Sequence, residues 1–81
     1  MMVVTARDEI LAALPQVISS SPDGTFLPQD VIDELRRSGS TYADSTIRTH
    51  IVSRMCANAP DHHARTYDDL ERLPNGRYRR Q

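Results

Sequence analysis

Short hydroxyl side chains alternate with arginines between Asp44 and Asn58, where the chain reads STIRTHIVSRMCA. Small polar side chains allow a helix backbone to approach a groove closely, and hydroxyls hydrogen-bond to phosphates or to either kind of base. Arginine adds positive charge and a planar fork that matches phosphates and the guanine edge. We therefore expect DNA contacts from seven residues of this segment: Ser45, Thr46, Arg48, Thr49, His50, Ser53 and Arg54.

Basic residues are concentrated in the second half of the 81-residue chain. Residues 1–44 hold three arginines against seven acids, whereas residues 45–81 hold seven arginines against four acids. This asymmetry, inside a chain of net charge −1, indicates that the second half meets an anionic partner. The chain has no lysine, which either reflects a need for forked guanidinium groups or the codon preference of a GC-rich genome.

The sequence gives little support for a metal site, a catalytic site or a phosphate-binding loop. His50, Cys56, His62 and His63 are zinc-binding residue types, but the chain has no paired Cys-x2-Cys ligands. The tripeptide Asp61-His62-His63 matches a phosphoesterase motif in letters alone, without the further acids that a two-metal site needs. Three glycines form no phosphate-binding loop. We expect a protein that is not an enzyme, with no catalytic residue, no metal and no cofactor.

Apolar residues recur near the 3.6-residue period in three segments, which predicts three helices. Thr5 with Asp8 is a typical N-cap pattern, Pro28 suits the first position of a helix, and Gly39 suits the position after its end. Pro15 is expected to kink or split the first helix. The predicted ranges are about 5–18, 28–38 and 44–58.

The third helix has the position of a recognition helix. A short link containing Gly39 joins it to the second helix, as in helix-turn-helix domains. Asp44 or a neighbouring hydroxyl is expected to cap it, and Pro60 ends it near Asn58. Its predicted core residues are Ile47, Ile51, Val52 and Met55.

A β-hairpin is predicted near the C-terminus, because Pro74-Asn75-Gly76 is a turn sequence between two strand-like segments. We expect this hairpin, or wing, at about 66–80, with Tyr78 inward. Arg77 and Arg79 are expected to point outward and bind DNA through its phosphates, with Arg72 as a cross-strand or phosphate partner. A charged hairpin that protects its own edge is the alternative. Residues 25–27 are expected to form a short strand or an extended lead-in.

Four segments resemble a bacterial winged helix-turn-helix module that is attached to restriction-type and HNH-endonuclease-like proteins. They are TIRTHI (46–51), MCANAP (55–60), HH followed by TYDDLER (62–72), and GRYRR (76–80). The resemblance implies an α+β winged-helix fold that binds double-stranded DNA at a specific or methylated site. It also implies a role as the targeting module of a restriction-type or regulatory protein, with a fused or associated nuclease or effector domain as partner.

We therefore expect a single winged-helix domain over residues 1–81. The alternative function is a protein-interaction module that docks through the acidic surface of the first two helices. The lone Cys56 and the lack of a long apolar run indicate a cytoplasmic protein without a membrane partner. The sequence leaves the oligomeric state open.

Overall fold

The protein folds as a small α+β domain in a computed structural model that describes residues 5–58 and 67–81. Three α-helices precede an antiparallel hairpin in this part of the chain, which confirms the predicted α+β class and element order. The elements are α1 (Ala6–Ser19), α2 (Pro28–Arg37), α3 (Asp44–Thr49), a π-helical turn (His50–Arg54), β1 (Leu70–Arg72) and β2 (Tyr78–Arg80).

Helix α1 begins with the predicted capping arrangement. The Thr5 hydroxyl accepts a hydrogen bond from the Asp8 amide (3.2 Å), and the Asp8 carboxylate accepts one from the Thr5 amide (3.1 Å). Hydrogen bonding from Thr5, first from its backbone amide and then from its side chain, lowers the pKa of the Asp8 carboxyl below its ordinary value. The helix is not split at Pro15, because buried Leu14 and Val17 hold both sides of the proline against the core.

Helix α2 begins and ends at residues that the sequence identifies. Pro28 occupies the first helical position, and the Asp30 carboxylate accepts a hydrogen bond from the Leu27 amide (2.8 Å). At the other end, Gly39 has a φ of 87°, a conformation that glycine adopts without steric cost. The amide of Ser40 then donates to the carbonyl of Leu35 (2.9 Å), closing the helix end as predicted.

Helix α3 is shorter than the predicted helix over 44–58. Its α-helical part ends at Thr49, and the following π turn closes with a bond from the Met55 amide to the His50 carbonyl (2.8 Å). Its N-cap residue is Ala43, with no side-chain cap bond, so the prediction of an Asp44 or hydroxyl cap is wrong. Asp44 instead accepts a hydrogen bond from Arg36.

The predicted core stripe of the third helix is correct at three of its four residues. Ile47, Ile51 and Met55 are fully buried, whereas Val52 is 37% exposed. An α-helix advances about 100° per residue, so residues four apart do not lie directly above one another. In a regular helix, a stripe through Ile47, Ile51 and Met55 would therefore turn gradually towards the position of Val52. The wider π turn instead keeps the stripe at four-residue intervals, and Val52 stays outside it.

The hairpin extends into a small sheet by two isolated bridges. β1 and β2 pair with Glu71 opposite Arg79, Phe26 forms an antiparallel bridge with Tyr78, and Cys56 forms a parallel bridge with Leu70. The strand expected near 25–27 is therefore reduced to one bridging residue, Phe26. Through these bridges the hairpin is joined to the lead-in of α2 and to the segment that follows the π turn.

One apolar core joins the three helices to the hairpin. Its fully buried large side chains come from the three helices, the π turn, β1 and the segments beside them, and Tyr78 of β2 (4% exposed) belongs to the same cluster. The fully buried ones are Ile10, Leu14, Phe26, Val31, Ile32, Ile47, Ile51, Met55, Cys56 and Leu70. Among the described residues, no helix combines the length and apolar character needed to cross a membrane.

Candidate nucleic-acid interface

The outer surface of α3 and the π turn carries the seven predicted residues, which we call the α3 face. Most of these side chains are exposed, and Thr46 and His50 are half-buried. No aspartate or glutamate occurs between Ser45 and Asn58. The α3 face therefore offers hydroxyls, one imidazole and two guanidinium groups without a carboxylate among them.

Two residues of the α3 face, His50 and Arg48, make contacts that limit their side chains. The His50 imidazole Nδ1 lies 2.8 Å from the Thr46 carbonyl, so the ring folds back on its own helix. Arg48 donates to the Gln29 side chain of α2 (2.8 Å). That bond joins two exposed groups, which a stronger anionic acceptor can replace at little cost.

Arg54 ends the π turn with an exposed side chain. Its backbone carbonyl accepts a hydrogen bond from the Tyr67 amide (2.6 Å), while its guanidinium has no partner within residues 5–58 and 67–81. The backbone is therefore fixed against the start of the hairpin segment, and the charge is left to solvent.

Arg77 does not point outward, so this expectation is wrong. Its Nε donates to the Thr25 hydroxyl (2.7 Å) and its Nη2 to the Thr25 carbonyl (3.0 Å). The Phe26–Tyr78 bridge is the cause, because it places Thr25 beside Arg77. The side chain is half-buried and connects the hairpin to the lead-in of α2, which leaves it fewer donors for a partner.

The hairpin itself presents two different arginine environments. Arg79 lies opposite Glu71 and forms an ion pair with it (2.5 Å), so its charge is largely compensated. Arg72 lies opposite Tyr78, is exposed, and has no ion pair among the described residues. Asn58 holds the Arg72 backbone by two 2.9 Å hydrogen bonds, one to its amide and one to its carbonyl. Arg72 is thus presented from a fixed backbone next to the end of the π turn.

Arg80, at the end of β2, was not among the predicted site residues. It is exposed and has no ion pair in the described part of the chain. It lies opposite Leu70, on the hairpin face that carries Arg72 together with buried Leu70 and Tyr78, so strand alternation alone does not indicate that it is exposed.

Two arginines that do not belong to the predicted site, Arg7 and Arg36, hold the elements of the site in place. Arg7 donates two bonds to Asp69 (2.8 and 2.9 Å) and lies 3.9 Å from the centre of the Tyr67 ring. The bond to Asp69 is the main cause of a raised pKa at the Arg7 guanidinium. This contact joins α1 to the chain just before the hairpin, across 62 positions of sequence, and no local pattern indicates it.

Arg36 holds the connection between α2 and α3. It donates to the carbonyls of Ser40 (3.1 Å) and Tyr42 and to the carboxylate of Asp44, the first residue of α3. A basic residue in the last turn of a helix is expected to bond nearby carbonyls, which is the signal that could have identified it. Its contacts fix the direction in which α3 leaves the turn.

The metal-binding hypothesis has little geometry to support it. Within residues 5–58 and 67–81, no three His, Cys, Asp or Glu side chains lie close enough to share a metal ion. Cys56 is buried and donates to the Asn58 side chain (3.2 Å). His62, His63 and the Asp61-His62-His63 tripeptide lie outside the described residues.

Comparison with known proteins places residues 9–80 in a family described as a domain of unknown function (DUF7669). The chain belongs to this family. No curated protein and no solved structure matches it.

Proposed function

We propose that this member of the DUF7669 family is a winged helix-turn-helix domain that binds double-stranded DNA. In this proposal α3 lies in the major groove, and the hairpin is the wing that contacts the phosphate backbone. The order α2, short turn, α3, hairpin supports this assignment, as does the small sheet that joins the hairpin to Phe26.

The observation that carries the proposal is the distribution of unpaired arginines. Four exposed guanidinium groups have no ion pair among the described residues, and all four follow residue 45. They are Arg48, Arg54, Arg72 and Arg80. An unpaired arginine that releases counterions on contact with phosphate is the main source of affinity for duplex DNA.

The expected contacts differ along the surface. Ser45, Thr46 and Thr49 would approach base edges or adjacent phosphates near the start of α3. The guanidinium groups of Arg54 and Arg72 would contact the backbone. Arg79 would contribute less than its exposure suggests, because Glu71 already neutralises it.

Fluorescence anisotropy across a salt series tests the proposal. Four phosphate contacts predict a log–log slope of about −3 to −4 for a labelled duplex, and each of Arg54→Ala and Arg72→Ala should flatten it by about one. Arg37→Ala is the matched control, since it removes the same charge from an exposed position on α2 that pairs with Glu34. The proposal fails if wild-type protein shows no salt-dependent binding to any duplex at low salt.

A second candidate function is docking of a basic protein partner between α1 and α2. A groove of about 340 Å³ lies there, and the carboxylates of Asp30, Asp33 and Glu34 line it together with Arg37 and Arg77. Asp33 is the best probe of the three, because its carboxylate accepts from the exposed Gln29 side chain (2.9 Å), whereas Asp30 holds the Leu27 amide at the start of α2 and Glu34 pairs with Arg37. Asp33→Arg should abolish binding of such a partner and leave duplex binding unweakened.

A further inference from the structure

Val52 is the exposed aliphatic side chain on the surface of the π turn. It is 37% exposed, and it follows fully buried Ile51 directly. Arg48 and Thr49 precede it by four and three residues, a spacing that places side chains next to one another on a helix surface. Val52 therefore borders the α3 face, whose seven residues are all polar or charged.

The π turn provides an independent reason to examine this position. Such turns are rare, and they occur frequently at functional sites because they change which side chains a helix presents. Here the turn covers His50–Arg54, and it keeps Ile47, Ile51 and Met55 in the core while Val52 remains outside. A valine held outside the core, among hydroxyls and arginines, costs little in a free protein and gains energy where it meets another apolar group.

This inference rests on the proposed DNA-binding function, in which the major groove supplies an apolar group for Val52. We propose that Val52 is a specificity-determining residue that contacts the C5-methyl group of a pyrimidine in the major groove. The methyl group of thymine is the apolar feature of that groove, and small apolar side chains are the usual contacts for it. 5-Methylcytosine presents the same methyl group at the same place on the ring, so the chemistry applies to both bases.

The neighbouring residues fit this role. Thr49 is exposed one helical turn earlier, and its short side chain leaves the backbone free to approach the base edges. In the free protein Arg48 bonds to Gln29 of α2 (2.8 Å), and Val52 is 37% exposed beside it. A contact of one methyl group with another should contribute about fourfold in affinity, the effect of burying roughly one CH₂ group.

The test begins with a duplex that wild-type protein selects from a random library. Each thymine is then replaced singly by deoxyuridine, which removes the C5-methyl group and keeps base pairing, and each cytosine by 5-methylcytosine. Binding of wild type and Val52→Ala is measured by anisotropy at fixed salt. Wild type should lose about fourfold at one deoxyuridine or gain about fourfold at one 5-methylcytosine, and Val52→Ala should abolish that difference.

Leu27→Ala is the matched control, because Leu27 is a similarly exposed aliphatic residue (41%) in the groove between α1 and α2. It should retain the methyl discrimination of the wild type. This inference is overturned if the methyl effect persists in Val52→Ala, or if neither the deoxyuridine nor the 5-methylcytosine substitution changes binding of the wild type. In either case, salt-dependent binding to the duplex would leave the proposed function intact. Absence of binding to any duplex would reject both.

Discussion

Arginines in the two halves of the domain have different partners. All three arginines of residues 1–44 lie beside carboxylates: Arg7 with Asp69, Arg36 with Asp44, and Arg37 with Glu34. Among the six that the structure describes after residue 45, Arg79 has an ion pair, with Glu71. The charge asymmetry of the sequence is therefore larger at the surface than a count of residues suggests, because the arginines of the first half are all paired, and Arg7 also neutralises an acid of the second half, Asp69.

The helices of the two halves differ in how their ends are stabilised. α1 and α2 have carboxylate bonds at their N-termini, and α2 ends at a glycine. α3 has no side-chain cap and changes to a π turn after six residues. Polar groups in the first half are used to stabilise the domain, whereas those of the α3 face remain available to a partner.

The core is shared by both halves, so the largest effect should come from a core residue of the π turn. Ile51→Ala should lower the free energy of unfolding by about 2–5 kcal/mol, because Ile51 is fully buried. Val52→Ala, at the next position, should change it by less than about 0.5 kcal/mol, because its side chain is outside the core. Urea denaturation measures both, and similar losses for the two variants would contradict the account of the π turn.

Arg7 tests the structural role of the first-half arginines. Arg7→Ala removes a two-bond ion pair and leaves the Asp69 side chain, 16% exposed, without its cation. The free energy of unfolding should fall by about 1–2 kcal/mol, and Arg7→Lys should recover part of it because the charge remains without the fork. The salt dependence of duplex binding should not change. If Arg7→Ala flattens that slope as Arg54→Ala does, the division between the halves is wrong.

The difference between the helix caps of the two halves can be tested by removing the cap of α1 and adding one to α3. Thr5→Ala removes the cap of α1 and should cost about 1 kcal/mol in the free energy of unfolding. Ala43→Ser adds a cap hydroxyl to α3 at a residue whose φ and ψ (−66° and 149°) already suit an N-cap, and should stabilise by about 0.5–1 kcal/mol. Denaturation of the two variants under one condition is the measurement. No gain from Ala43→Ser would mean that α3 is limited by something other than its missing cap.

The smallest effect concerns pH. Asp23 accepts hydrogen bonds from the Thr25 hydroxyl (2.7 Å), the Thr25 amide (3.1 Å) and the Ser21 hydroxyl (3.1 Å), and these lower its pKa. A carboxyl whose pKa is lower in the folded state stabilises above its unfolded pKa, about 3.9, and loses that contribution as pH falls through the folded pKa. Asp23→Asn should therefore be less stable than wild type at pH 7, and the difference should shrink below about pH 4. A gap that stays constant between pH 7 and pH 3 would show that the carboxylate charge is not involved.

Local features of the fold could be predicted from the sequence. The Thr5–Asp8 cap, Pro28 at the start of α2 and Gly39 after its end each depend on a few neighbouring residues. The hairpin turn is also local: Gly76 adopts a φ of 83° after Pro74-Asn75, and its amide bonds to the Leu73 carbonyl (3.0 Å). Such signals need no knowledge of the rest of the chain.

Features that depend on distant contacts could not be predicted. Alternation suggests that Arg77 is outward, but the Phe26–Tyr78 bridge brings Thr25 to it from 52 positions away. Ile47, Ile51 and Met55 are four residues apart, a spacing that a regular helix also accommodates, so the hydrophobic pattern does not reveal the π turn and predicts Val52 in the core. In the candidate site the sequence identifies the arginines, but ion pairing decides which of their charges stay free. Arg79 is compensated by Glu71, and Arg72 has no ion pair within residues 5–58 and 67–81.

We propose that the α3 face and the wing, rather than the α1/α2 groove, form the DNA-binding surface. Amide chemical shifts of isotope-labelled protein, followed during titration with a duplex, test it residue by residue. We predict that the largest shifts fall on Ser45–Arg54 and on Arg72 and Arg80, with little change at Asp30, Asp33 and Glu34. Shifts concentrated on those three acidic residues, or no saturable shift on any residue, would contradict the account.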